Sequence, residues 1–211
     1  AIGTMGAAKT AYLVTYNVGC MLGWACALAL AAQSLLATGG DLARVWDAMG
    51  PSIHIAQWAM CMEIVHAATG AVRSPVFTVF LQVGSRIFVL LVVLATPAVT
   101  GTWHCGMMAL SWGLVEVPRY AFYVNGLLGP GGQAGTLYPV FWLRYSLFAI
   151  LYPTGITGEL LTTYTALSDP GFQALFGGAA ALFVKVILAA YVPGAPFMYM
   201  NMVGNRRSSF K

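Results

Sequence analysis

The sequence predicts an all-α membrane protein, a bundle of six transmembrane helices with both termini in the cytosol. Three observations carry that expectation. Hydrophobic types make up 59% of the 211 residues and charged types only 8%, whereas soluble domains carry about 25% charged residues. Six apolar stretches follow one another, each close to the ~20 residues that a crossing needs, and they leave no room for a separate soluble domain. Lys and Arg then fall mostly on one side of the alternating crossings. Residues 1–211 are therefore read as a single polytopic membrane domain.

The apolar runs, broken by Gly, Pro and charge, place the spans at approximately 12–37, 51–72, 76–99, 102–124, 137–161 and 172–200. The first is too long for a signal-peptide core, so no cleavable signal is expected. A Gly/Asp segment separates it from the second, which ends at the "RSP" turn. A "TG" turn follows the third span and the glycine-rich "NGLLGPGGQAG" follows the fourth. Asp169, Pro170 and Gly171 are strong helix stoppers between the fifth and the sixth. With the N-terminus inside, every Lys and Arg except Arg44 and Lys185 falls at a cytosolic end, while Asp41, Asp47 and Asp169 lie opposite. The net charge of +4 comes with no basic run or basic-aromatic motif, so nucleic acid is not an expected partner. Cys20, Cys26, Cys61 and Cys105 show no CxxC pairing, which supports neither a disulfide framework nor a zinc ribbon.

An ionisable side chain inside a span costs ~2.5 to 3.5 kcal/mol on insertion scales, so each one points to packing or function. Glu63, His66, Arg86, Glu116, Arg119, Arg144 and Glu159 come from spans two to five. That predicts a polar interior shared by those four helices, with spans one and six as flanking walls. In span five, Tyr152 and Glu159 are seven residues apart, so they share a face about 10.5 Å apart along the axis. Pro153, with Gly155 and Gly158, predicts a kink between them. Two readings fit this segment: a catalytic acid–base pair, or a proline hinge with a tied-down tyrosine and an interfacial carboxylate. In span four, Glu116, Arg119, Tyr120 and Tyr123 share one face, and a Glu116–Arg119 pair would make burial tolerable without any chemistry. Gln82, Ser85 and Arg86 share a face in span three, where hydrogen bonding between helices is the simplest role.

Glu63 and His66 have the Glu-x-x-His spacing of di-iron bundles, but no second copy exists, and no metal is expected. The stretch "HAATGAVRS" echoes a phosphatase loop with Ala67 in the nucleophile position, so covalent phosphoryl transfer is not supported. No G-x-S-x-G elbow is present.

Three long motifs in different spans, "EIVHAATGAVRSPVFTVFLQVGSR", "SWGLVEVPRYAFY" and "WLRYSLFAILYPTGITGELL", resemble successive motifs of the very-long-chain 3-hydroxyacyl-CoA dehydratases, also called protein tyrosine phosphatase-like proteins. The resemblance runs in order over roughly residues 12 to 205. It implies a six-span endoplasmic-reticulum bundle and a hydro-lyase of fatty-acid elongation. That enzyme converts a long- or very-long-chain 3-hydroxyacyl-CoA to the trans-2-enoyl-CoA without a cofactor. It also implies that Tyr152 and Glu159, in the Tyr-Pro-x-Gly-x-x-x-Glu segment, are the catalytic pair. Because a phenol ordinarily holds its proton at neutral pH and a carboxylate does not, Glu159 is read as base and Tyr152 as acid, the opposite assignment staying open. The CoA head is too charged for lipid and is expected at the cytosolic face near Arg86, Arg119, Tyr120 and Arg144. Glu63, His66, Gln82, Glu116 and Tyr123 are expected to support the polar interior. Membrane lipid and other elongation enzymes are candidate partners. The family's dilysine-type retrieval signal has only a loose counterpart in Arg206 and Arg207. A non-catalytic subunit of a larger membrane assembly, or a small transporter, are the alternatives.

Overall fold

A computed structural model describes residues 6–130 and 132–211, without the side chains of 175–177. Every regular element among these residues is helical. Helix α1 spans Ala7–Thr38 and stops where Gly39 takes a left-handed φ of 67° that a side chain would resist. After a 3₁₀ turn, Leu42–Arg44, capped by Asp41, the chain returns through α2, Val45–Ala59, and α3, Cys61–Ala68, with a break at Met60. Gly70, also at positive φ, reverses it into α4, Val76–Ala95. Next come α5, Trp103–Leu128, then α6, Tyr138–Ser146, and α7, Phe148–Leu167, and finally α8, Pro170–Ser209. The start of α8 carries Pro170 at its first position and the Asp169 carboxylate on the Phe172 amide, the combination that opens a helix.

Among the described residues, three helical segments are long and apolar enough to cross a membrane by length and composition: Ala7–Thr38, Val76–Ala95 and Gly178–Ser209. At the centre stands α5, packed against α1 on one side and α7 on another, with α2 also in contact. Trp24, Met49, Ile53, Leu90, Met108, Trp112 and Tyr120, from α1, α2, α4 and α5, fill the core.

Helix α7 continues in helical conformation through Pro153, and the helix breaks at Leu147, between α6 and α7. The glycines after Pro153 make close contact with α5. A Cβ at Gly158 would sit 2.7 Å from the Met108 Cβ and 2.8 Å from the His104 carbonyl oxygen, and one at Gly155 would sit 3.4 Å from the Ser111 Cβ. Small residues let two helices approach this closely, so Gly155 and Gly158 press α7 onto α5. Farther along the same interface, His104 Nδ1 shares a 3.0 Å hydrogen bond with the Thr162 hydroxyl. Likewise α8 passes through Pro193 and Pro196 without interruption.

Candidate active site

The close α5–α7 contact sets Glu159 opposite Trp112. The Trp112 indole Nε1 donates to Glu159 Oε1 at 2.8 Å, and from α8 the Tyr191 hydroxyl donates to Oε2 at 2.9 Å. Both carboxylate oxygens are thus held by neutral donors from two other helices. Tyr152 stands two turns earlier on α7, partly buried, its ring 6.2 Å from that of Tyr199 on α8. Among the described residues its hydroxyl has no hydrogen-bond partner, and it does not bond to Glu159. The pairings 152 with 199 and 159 with 191 are those of two antiparallel helices, so one face of α8 lies along the Tyr152–Glu159 face of α7.

Behind Trp112 runs a chain of charges. The Arg86 guanidinium, from α4, lies 5.3 Å from the Trp112 ring centroid and donates to Glu116 Oε1 at 2.6 Å. Glu116, 2% exposed, accepts on its other oxygen from Arg119 Nε at 2.6 Å. Arg119 then grips Glu63 of α3 with both terminal nitrogens, and the Tyr120 hydroxyl adds a 2.6 Å bond to the same carboxylate. Two arginines face two glutamates, so the chain is formally neutral. Interlocked pairs of this kind offset a desolvation cost that neither ion could bear alone, and removing one member of a buried pair costs about 3 to 5 kcal/mol. Tyr123 closes the cluster, its ring 5.6 Å from the Arg119 guanidinium.

This geometry revises several expectations from the sequence. Glu63, Glu116, Arg86, Arg119 and Tyr120 do gather in one place, but the carboxylates occupy all three nitrogens of Arg119 and one of Arg86. Arg119 has no nitrogen left for CoA phosphates, whereas Arg86 keeps two without a hydrogen-bond partner among the described residues and is ion-paired with Glu116 through the third. Arg144 stands apart, in the last turn of α6, with its guanidinium 5.7 Å from the Tyr145 ring centroid. Gln82 is exposed on α4 while its neighbour Val83 turns inward, so it lies outside the polar interior. His66 serves a different partner from Glu63: its Nε2 shares a 2.8 Å hydrogen bond with the Tyr12 hydroxyl, and the Tyr16 ring packs edge-on against it. The outer helices are therefore not mere walls, since α1 supplies Tyr12 and Tyr16 and α8 supplies Tyr191. Trp112 was within reach of the sequence, four residues before Glu116 on the same face. Tyr191 was not, because nothing local in the chain says which helix faces α7.

The sequence model of the family described as "Protein tyrosine phosphatase-like protein, PTPLA" matches residues 57–211. Along nearly its whole length the chain is similar to the Arabidopsis thaliana protein named very-long-chain (3R)-3-hydroxyacyl-CoA dehydratase PASTICCINO 2. The identity is 35%, over 97% of this chain and 95% of that protein. It is similar also to the Caenorhabditis elegans very-long-chain (3R)-3-hydroxyacyl-CoA dehydratase hpo-8, at 33% identity over 93% of each chain. A third relative, very-long-chain (3R)-3-hydroxyacyl-CoA dehydratase 2 of Mus musculus, is 32% identical over 96% of this chain and 82% of its own. No solved structure matches the chain.

Proposed function

The chain belongs to the protein tyrosine phosphatase-like family, and from that premise we propose that Tyr152 and Glu159 carry out a dehydration inside the bundle. The enzyme is a 3-hydroxyacyl-CoA dehydratase, a hydro-lyase of fatty-acid elongation, as its relatives are named. Its substrate is a long- or very-long-chain 3-hydroxyacyl-CoA. Glu159 takes the C2 proton, which the neighbouring thioester carbonyl makes acidic. The C2–H electron pair becomes the second bond between C2 and C3, the C3–O bond breaks, and the departing hydroxyl leaves as water with the Tyr152 proton. Glu159 then gives its proton up to water and Tyr152 takes one back from water, which closes the cycle. One observation carries the reading: a carboxylate within the helix bundle is held by an indole N–H and a phenol, with no ion pair among the described residues. Such a group is oriented without being neutralised, as a general base needs to be. Tyr152, with an unengaged hydroxyl on the same helix face, supports the acid role.

Six crossings, formed by α1, α2 with α3, α4, α5, α6 with α7, and α8, match this chemistry, with both ends in the cytosol and the endoplasmic reticulum as the membrane. In that arrangement Asp41, Asp47 and Asp169 share the lumenal side, and Arg73, Arg206 and Arg207 share the cytosolic side where CoA esters are found. Turnover of a long-chain 3-hydroxyacyl-CoA by the purified protein, read as enoyl product by mass, tests the activity. Tyr152→Phe and Glu159→Gln should each lower kcat by about 10²- to 10⁴-fold, the usual worth of a general acid or base. Rates near wild type in either variant would remove that residue from the mechanism.

A further inference from the structure

Arg119 has all three nitrogens on carboxylates and Arg86 is ion-paired with Glu116, which leaves cations without a carboxylate as the stronger partners for the phosphates of the substrate. A cavity of about 550 Å³ opens between the α6–α7 segment and the C-terminal part of α8. Trp142, Phe148, Tyr199 and Val203 are among its apolar and aromatic walls, and Ser146, Arg206 and Arg207 also line it. We propose that this cavity is the binding site for the CoA portion of the substrate, with Arg206 and Arg207 receiving the nucleotide phosphates. The inference rests on the dehydratase reading for its ligand and on the following geometry for its place.

Arg206 is pre-oriented. Its Nε donates to the Ser146 hydroxyl at 3.2 Å and its guanidinium lies 4.7 Å from the Phe210 ring centroid, which leaves the two terminal nitrogens for an incoming anion. A planar guanidinium fork presented in this way suits phosphate oxygens. Among the described residues neither Arg206 nor Arg207 pairs with a carboxylate, in contrast to Arg44, Arg86 and Arg119. The two cations therefore carry uncompensated charge at the rim of an otherwise apolar cavity. That is the charge pattern of a ligand with a polyanionic head and a greasy tail. Depth fits as well. From Arg206 to Tyr199 is seven residues of α8, about 10.5 Å of helix, and the Tyr199 ring packs against Tyr152 and Phe148. A head held at the rim would send its thioester arm along α8 toward Tyr152 and then toward Glu159.

The test compares the full-length protein with Arg206→Gln/Arg207→Gln and with Arg206→Lys/Arg207→Lys. The substrates are a long-chain 3-hydroxyacyl-CoA and the matching N-acetylcysteamine thioester, which lacks the nucleotide. The Gln pair should raise KM for the CoA ester about tenfold or more, with a smaller change in kcat. Its preference for the CoA ester over the truncated thioester should fall by a similar factor. The Lys pair should recover part of that preference, since charge without the fork still attracts phosphate. An equal loss on both thioesters would make the arginines structural, and no change on either would mean the phosphates bind elsewhere. Loss of preference only in anionic-lipid vesicles, and not in neutral detergent, would assign the cations to lipid headgroups and overturn the proposal. Binding of free CoA, measured by calorimetry, separates this inference from the dehydratase reading. If the wild type binds CoA and the Gln pair does not, while neither thioester is turned over, the site stands and the reaction falls.

Discussion

Glu159 owes its setting to two residues outside its own helix. Trp112 and Tyr191 each hold one oxygen of its carboxylate, and hydrogen bonds to charged groups contribute about 1.5 to 3 kcal/mol. Tyr191→Phe removes one donor and keeps the ring, so it should lower kcat about tenfold or more while KM changes little, because in the proposed mechanism the bond orients the base and touches no substrate. Steady-state kinetics beside an unfolding curve checks this, and a kcat within twofold of wild type would show that Trp112 alone fixes the carboxylate. Tyr152, Glu159 and the Glu116–Arg119 pair were legible in the sequence because each is a spacing along one helix. The ion pairs from Arg86 to Glu116 and from Arg119 to Glu63 cross between helices, and local spacing does not encode which distant helix supplies a partner.

At the level of the helix, the glycines of α7 are the informative case. In the sequence, Pro153, Gly155 and Gly158 look alike as helix breakers, yet in the fold the helix continues and the glycines act as spacers. The reason is that a proline six residues into a helix loses a single backbone bond, while a missing side chain at a crossing gains an entire packed surface. Gly158→Ala places a Cβ within 2.8 Å of α5 backbone atoms, which cannot yield as a flexible side chain could. Overpacking of this kind costs about 1 to 3 kcal/mol, and here it also pushes Glu159 away from Trp112. A lowered Tm in detergent together with a fall in kcat is expected. Gly84→Ala in α4, where a Cβ meets nothing within 4 Å, should leave Tm unchanged or raise it, since alanine favours helix by about 1 kcal/mol. If both variants behaved alike, the α5–α7 contact would not be what positions the site.

For the molecule as a whole, the class was legible from composition and apolar periodicity, because the bilayer imposes its length on every crossing. The helix breaks at Met60 and Leu147 were not, since they depend on how each segment meets its neighbours. The proposed orientation can be checked directly. Ser168→Cys, in the turn between α7 and α8, should react with an impermeant thiol reagent only from the lumenal side, and tags at both ends should be reached from the cytosol. Labelling of that cysteine from the cytosol would reverse the arrangement of the last two crossings. Helix α8 adds a property of another kind. It is 40 residues long, about 60 Å, against a hydrocarbon core of ~30 Å. It leans on α6 and α7 and touches α4 through Phe183 and Phe88, leaving much of its surface to the surroundings. Such a helix meets a change in bilayer thickness by tilting, and any tilt moves the Tyr191 hydroxyl relative to Glu159. The proposed acid–base chemistry would thereby be coupled to the lipids around it. Reconstituted into phosphatidylcholine bilayers of increasing acyl length, the protein should show a maximum in kcat at one thickness, and Tyr191→Phe should flatten that dependence.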